Sequence, residues 1–161
     1  AFDYEGEIAI VIGRPCRNVS EEDALNYVAG YTCFNDGSAR LFQISSGQMT
    51  TGKNAWRSGS MGPCMATSDS VDLAGMTLTT HVNGNLRQEM PLNDLIFSFA
   101  KLISHISDVY HLQPGDVIAT GSAAGVGAFC DPAAFLEPGD VVDISVTDIG
   151  TLSNTVVEQV L

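Results

Sequence analysis

Apolar positions in this chain cluster or alternate in short runs, a pattern that marks strands more often than helices. Ile8-Ala9-Ile10-Val11-Ile12 is unbroken and short, so residues 5–12 read as a buried strand. Tyr31 to Asn35 forms a second short strand that delivers Asp36 at its end. Met76 to Val82 alternates, and Asn83-Gly84 behind it is a strong hairpin signal. Helical spacing appears where Leu95, Ile96, Phe99, Leu102, Ile103 and Ile106 recur, with Asn93 as a candidate cap. Ser98, Lys101, His105 and Asp108 form the polar stripe of that helix. An earlier helix opens at Ser20-Glu21-Glu22-Asp23, where Ser20 can cap and the acidic residues suit the positive end of the dipole, and it runs towards Gly30.

Between Gly37 and Met65 the chain is rich in Gly, Ser and Thr with weak periodicity, which predicts a long active-site loop. Leu112-Gln113-Pro114-Gly115-Asp116-Val117-Ile118 is echoed by Leu136-Glu137-Pro138-Gly139-Asp140-Val141-Val142, two tight turns that each feed a β-branched strand. Strands dominate and helices are few, so the predicted class is a β-rich α+β domain of folded-over sheets.

Composition narrows the partners. The chain has 161 residues, enough for one domain with a real core and too few for two ordinary ones. A formal net charge of -12 argues against nucleic acid and anionic membrane and favours cations. Cys16, Cys33, Cys64 and Cys130 are widely spaced, without a Cys-x-x-Cys pair, and read as reduced thiols of an intracellular, cytoplasmic protein. No apolar stretch approaches the length of a membrane span.

The candidate chemistry starts at Glu5-Gly6-Glu7. Residues two apart on a strand share a face, so Glu5 and Glu7 present two carboxylates side by side. Like charges that close repel unless a cation sits between them. With Asp36 added, the set suits a hard divalent ion that keeps open positions for water or substrate. The plainer alternative is an acidic edge strand facing water. Arg40 and Lys53 lie near these residues in sequence; they either balance charge, or grip a carboxylate and stabilise an enolate or oxyanion. Gly121-Ser122-Ala123-Ala124-Gly125-Val126-Gly127 lacks the Gly-Lys-Ser/Thr ending of a phosphate loop. It is either a turn allowing close backbone approach or a loop closing over a small substrate. His81, His105 and His111 read as structural or solvated.

Taken in order, Asp3-Tyr4-Glu5-Gly6-Glu7, Tyr27-Val28-Ala29-Gly30-Tyr31-Thr32, Asn35-Asp36-Gly37-Ser38-Ala39-Arg40, Gly52-Lys53, Met61-Gly62-Pro63, Val82-Asn83-Gly84, Pro114-Gly115-Asp116-Val117-Ile118, Thr120-Gly121 and Gly125-Val126-Gly127 resemble the fumarylacetoacetate hydrolase family. The resemblance implies a mixed β-sandwich roll of that family's C-terminal type, usually a homodimer, binding Mg2+ (or Mn2+ or Ca2+). It implies a small 2-oxo acid as substrate, with acylpyruvate hydrolysis, oxaloacetate decarboxylation, and hydratase or isomerase steps of aromatic catabolism as the family's range. By position it assigns Glu5, Glu7 and Asp36 to the metal, Arg40, Gln43 and Thr120 to substrate, and Lys53 to catalysis beside the metal.

The expectation is a single catalytic domain over residues 1–161, without the upstream lid segment on which the family carries its activating His and Glu. Two further differences concern the pocket. Leu41 stands where the family commonly has Asp, and Asn54-Ala55-Trp56-Arg57 stands where Ser-Phe-Asp-Thr is common. The leading functional expectation is metal-dependent hydrolysis of a C–C bond in a 2-oxo (acylpyruvate or β-diketo) acid. Its rivals are a decarboxylase, isomerase or hydratase of the same family, and a non-catalytic oxo-acid-binding member.

Overall fold

Two four-stranded antiparallel sheets pack face to face around one apolar core in the computed structural model, which describes residues 1–158. In chain order the elements are β1 (Phe2–Asp3), β2 (Gly6–Ile12), α1 (Glu21–Ala24), β3 (Val28–Asn35), β4 (Ser38–Ala39), α2 (Arg40–Ser46), α3 (Met49–Lys53), β5 (Ser60–Thr67), β6 (Thr77–Val82), β7 (Asn85–Pro91), α4 (Phe99–Val109), β8 (Val117–Ala119), β9 (Val141–Val146) and β10 (Gly150–Thr155). One sheet runs β5-β3-β2-β8 and the other β10-β9-β6-β7, while β1 and β4 form a two-residue ribbon. No helix among the described residues is long and apolar enough to cross a membrane.

The period of two places the core. In β6, Leu78, Thr80 and Val82 point inward, and in β9 so do Val142, Ile144 and Val146. Ile8, Ile10 and Ile12 of β2 are fully buried opposite them. Gly6 shares their parity and therefore faces the second sheet: a Cβ there would stand 2.0 Å from Thr80 Oγ1 and 3.2 Å from Gln88 Oε1. Glu5 and Glu7 are thereby turned to the opposite face.

The expected strands form with small shifts, and Asn83 and Gly84 both take positive φ in the hairpin turn between β6 and β7. The repeated Pro-Gly-Asp segments adopt one turn twice. Gln113 N–H donates to Asp116 Oδ2 at 2.7 Å, and Glu137 N–H donates to Asp140 Oδ2 at 2.8 Å. Each turn feeds a strand, β8 or β9.

Three expectations need correction. Ser20 does cap a helix, accepting the Asp23 N–H, but α1 lasts one turn and passes through a 3-10 turn into β3 instead of reaching Gly30. The residues from Val28 onward are claimed by pairing with β2, which outweighs local helix preference. The later helix starts at Phe99 with Ser98 as its cap, and Asn93 belongs to a separate 3-10 turn. Residues 37–65 are not a continuous loop but hold β4, α2, α3 and the start of β5. Their helices are short and their strand lies at a sheet edge, so neither writes a strong period into the sequence.

Gly6→Ala tests the contact between the sheets. Thr80 is short and stiff, so the added methyl forces the sheets apart and costs about 1–3 kcal/mol in urea unfolding.

Candidate active site

The site is built where β2 and β3 begin and end together. Glu5 precedes β2; its N–H donates to Asn35 Oδ1 at 3.1 Å, and its carbonyl accepts the Asp36 N–H at 2.9 Å. Those two bonds fasten Asp36 beside Glu5, while the strand period brings Glu7 to the same face. One carboxylate oxygen from each of Glu5, Glu7 and Asp36 lies within 4.8 Å of the other two.

Two cations reach this cluster from α2 and α3. Lys53, the last residue of α3, lies 2.6 Å from Asp36 Oδ2 and 2.8 Å from Glu5 Oε2. Gly52 before it must lack a side chain, because a Cβ would stand 2.0 Å from Gln43 Cγ on α2. Arg40, the first residue of α2, donates to Asp3 Oδ2 through Nε at 2.9 Å and Nη2 at 2.7 Å. Its Nη1 lies 2.7 Å from Glu5 Oε1 and donates to Gln43 Oε1 at 3.1 Å. The glycine-rich loop closes the far side. Gly121 N–H donates to Glu7 Oε2 at 2.9 Å, and Ser122 Oγ donates to Glu5 Oε2 at 3.4 Å. Thr120 Oγ1 donates to the Ile8 carbonyl at 2.7 Å.

Of the seven residues singled out in the sequence, Glu5, Glu7, Asp36, Arg40, Gln43 and Lys53 meet at one place, while Thr120 stands beside Gly121 and bonds to the backbone; two are more committed than expected. Most of the Arg40 guanidinium is occupied by Asp3, Glu5 and Gln43, and the Thr120 proton is given to the backbone. Gln43 Nε2, by contrast, is buried without a hydrogen-bond partner and has a donor to give.

Sequence reasoning assigned no role to Asp3, yet it is fully buried and accepts from Arg40, Tyr4 N–H, Gly127 N–H and Ala128 N–H. The signal was present: Asp3, Glu5 and Glu7 are spaced by two, so one strand period carries all three. Tyr4 Oη donates to the Gly125 carbonyl at 2.8 Å and pins the same loop.

Burial and charge set the protonation of the cluster. Burial pushes the Glu5 carboxyl up, but the hydrogen bond and charge of Lys53 and the charge of Arg40 outweigh it and hold the group below its ordinary value. Lys53 is the mirror case, with burial opposed and exceeded by Asp36 and Glu5, so its ammonium is held more firmly than usual. Glu7 has no such partner. Burial first, then repulsion from Asp36 and Glu5, push its carboxyl up to about 7 despite the Gly121 N–H.

The family model for the fumarylacetoacetate hydrolase C-terminal domain matches residues 1–157. The chain belongs to this family.

Among curated members, the oxaloacetate tautomerase of Bacillus subtilis is 43% identical over 156 residues, 96% of this chain and 52% of the relative. The solved fumarylacetoacetate hydrolase of Exiguobacterium antarcticum superposes with a TM-score of 0.95 at 39% identity, covering 98% of this chain and 57% of that one. Maleylpyruvate hydrolase from Sphingobium gives a TM-score of 0.85 at 33% identity, over 97% of this chain and 54% of that one. The chain therefore spans a little more than half the length of these fumarylacetoacetate hydrolase family proteins.

The residues present fit a divalent cation. Among the described residues, Asp3, Glu5, Glu7 and Asp36 are met by two cations, Arg40 and Lys53, so one negative charge stands unbalanced with Glu7 protonated and two once Glu7 ionises. The donors are all carboxylate oxygens, the chemistry that hard ions such as Mg2+, Mn2+ and Ca2+ select.

Two predictions follow from this geometry. Asp3→Ala leaves Arg40 and two loop N–H groups without their acceptor and lowers stability by about 3–5 kcal/mol, measured by urea unfolding. The raised Glu7 pKa sets a pH dependence in two parts. Without metal, protonated Glu7 stabilises the fold at low pH, and that contribution is lost as pH rises from the ordinary carboxylate range through about 7. A cation needs Glu7 ionised, so Mn2+ affinity in calorimetric titration falls about tenfold per pH unit below 7 and levels off above it.

Proposed function

We propose that this chain is the catalytic domain of an enzyme that cleaves a C–C bond in a small 2-oxo acid, an acylpyruvate or β-diketo acid, by hydrolysis. The observation that carries the reading is the convergence of Glu5, Glu7 and Asp36, with negative charge left unbalanced, beside an ammonium held firmly protonated. The fumarylacetoacetate and maleylpyruvate hydrolases among the similar structures support the reaction class.

Glu5, Glu7 and Asp36 would hold the cation, which when bound supplies Lewis-acid polarisation of the substrate's keto oxygen. Hydrolysis adds water across the C–C bond. Hydroxyl goes to the acyl carbon, the bonding electron pair becomes an enolate on the pyruvate fragment, and a proton then quenches that carbon. Lys53, whose ammonium Asp36 and Glu5 favour, would supply positive charge where the enolate develops. Arg40 holds Glu5 and orients Gln43, whose unpartnered Nε2–H is buried, so a bond to a substrate carboxylate requires that side chain to turn outward. The Thr120 hydroxyl oxygen, its proton given to Ile8, is left as an acceptor at the loop.

Tautomerisation of a 2-oxo acid shares the enolate and needs no attacking water; the Bacillus subtilis oxaloacetate tautomerase supports that second reading. Apolar side chains exposed on α2 and β5, among them Leu41, Ile44, Met61 and Met65, support a homodimer.

The test uses an acylpyruvate and oxaloacetate, each with and without Mg2+. Glu5→Ala and Asp36→Ala should abolish metal-dependent turnover while circular dichroism stays native, and Lys53→Met should lose on the order of 10²–10³ in kcat. Wild-type turnover in both carboxylate variants would sink the proposal. Turnover of oxaloacetate alone would select the tautomerase if no carbon dioxide is released and the decarboxylase if it is, and binding without turnover the non-catalytic reading.

A further inference from the structure

Gly6, between Glu5 and Glu7 at the start of β2, turns its back to the site and its N–H towards β7. There it meets Gln88, a side chain only 1% exposed, whose Oε1 accepts the Gly6 N–H at 3.0 Å. The other end of the same amide donates from Nε2 to the Ala123 carbonyl at 2.8 Å. One buried side chain thus joins the carboxylate strand to the loop that gives Gly121 N–H to Glu7 and Ser122 Oγ to Glu5. The loop lies flat on β7 at this point, since a Cβ at Gly125 would stand 2.0 Å from the Arg87 carbonyl. Gln88 touches neither the three carboxylates nor the two cations, and a buried amide carries a desolvation cost that an apolar side chain of equal length avoids.

We propose that Gln88 is a positioning residue, a strut whose amide fixes the glycine-rich loop 121–127 at a set distance from the carboxylate strand. A sheet-to-loop contact made only by packing tolerates sliding, whereas two hydrogen bonds from one planar amide define both distance and register. The strut thereby places Gly121 N–H on Glu7 and keeps the loop against the site. Its consequence for metal rests on the cation reading given above; its existence does not.

Hydrogen exchange and Mn2+ titration on the whole chain test it. Gln88→Met keeps length and volume but neither donates nor accepts. Amide exchange across residues 121–127 should rise on the order of tenfold, with β9 and β10 as in wild type, and Mn2+ should bind on the order of fivefold more weakly. Gln88→Glu keeps the acceptor for Gly6 in both charge states but loses the donor only when ionised. At a pH high enough to ionise it, exchange should rise over wild type at the same pH in the loop and not at Gly6. A side chain that only fills space would leave loop exchange unchanged in both folded variants, and that result overturns the strut. Should Gln88→Met fail to fold, the contrast between loop and Gly6 amides in Gln88→Glu decides alone. Mn2+ affinity that is indifferent to Glu5→Ala would instead overturn the cation reading, so the two failures are told apart.

Discussion

The structure turns on a concentration of negative charge that its own cations do not neutralise. Asp3, Arg40, Glu5, Lys53 and Asp36 form an unbroken chain of ion pairs, each contact between 2.6 and 2.8 Å. Removing such groups from water is costly, and the cost is recovered only where geometry and additional hydrogen bonds are good. Here the recovery recruits β1, β2, α2 and α3 together, so the positions of Arg40 and Lys53 are set by the carboxylates as much as by their helices. Glu7 is left outside the pairing and shows the strain of it, its carboxyl driven up to about 7.

That charge can be concentrated because the opposite face of the same strand is anchored in the core. Ile8, Ile10 and Ile12 are buried against the second sheet, and Gly6 permits the close approach at which Thr80 and Gln88 lie. The strand is therefore held from behind by apolar packing and one buried amide, and its acidic face has little freedom to spread under repulsion. The fixed spacing is what suits the carboxylates to a cation, as a flexible acidic surface would not.

The similar proteins carry the names of different reactions, a tautomerase among the sequence relatives and two hydrolases among the structures, so the fold alone does not choose between them. In this chain the segment after Lys53 carries Trp56, which is 71% exposed with the Arg57 guanidinium over its ring at 4.6 Å. Leu41 and Ile44 of α2 are exposed as well. The carboxylates, in contrast, are held by bonds internal to the chain.

Much of this was legible in the sequence because it depends on local period and turn chemistry. Alternation placed β6, the unbroken run placed β2, Asn83-Gly84 marked its hairpin, and the spacing of Glu5 and Glu7 put them on one face. The order of motifs carried the family. Other features were set by contacts distant in sequence. The length of α1 was decided by pairing of β3 with β2, and the ends of the segment 40–53 are tied by Arg40 and Lys53 to Asp3, Glu5 and Asp36. Asp3 and Gln88 look like ordinary polar residues of short strands until partners more than thirty positions away fill their hydrogen bonds. By itself the sequence determined which residue types share a strand face, since that follows from backbone geometry. Only the tertiary structure decided which of those charges are buried, paired or left unbalanced, because solvation and Coulomb energy depend on distances that no local pattern encodes.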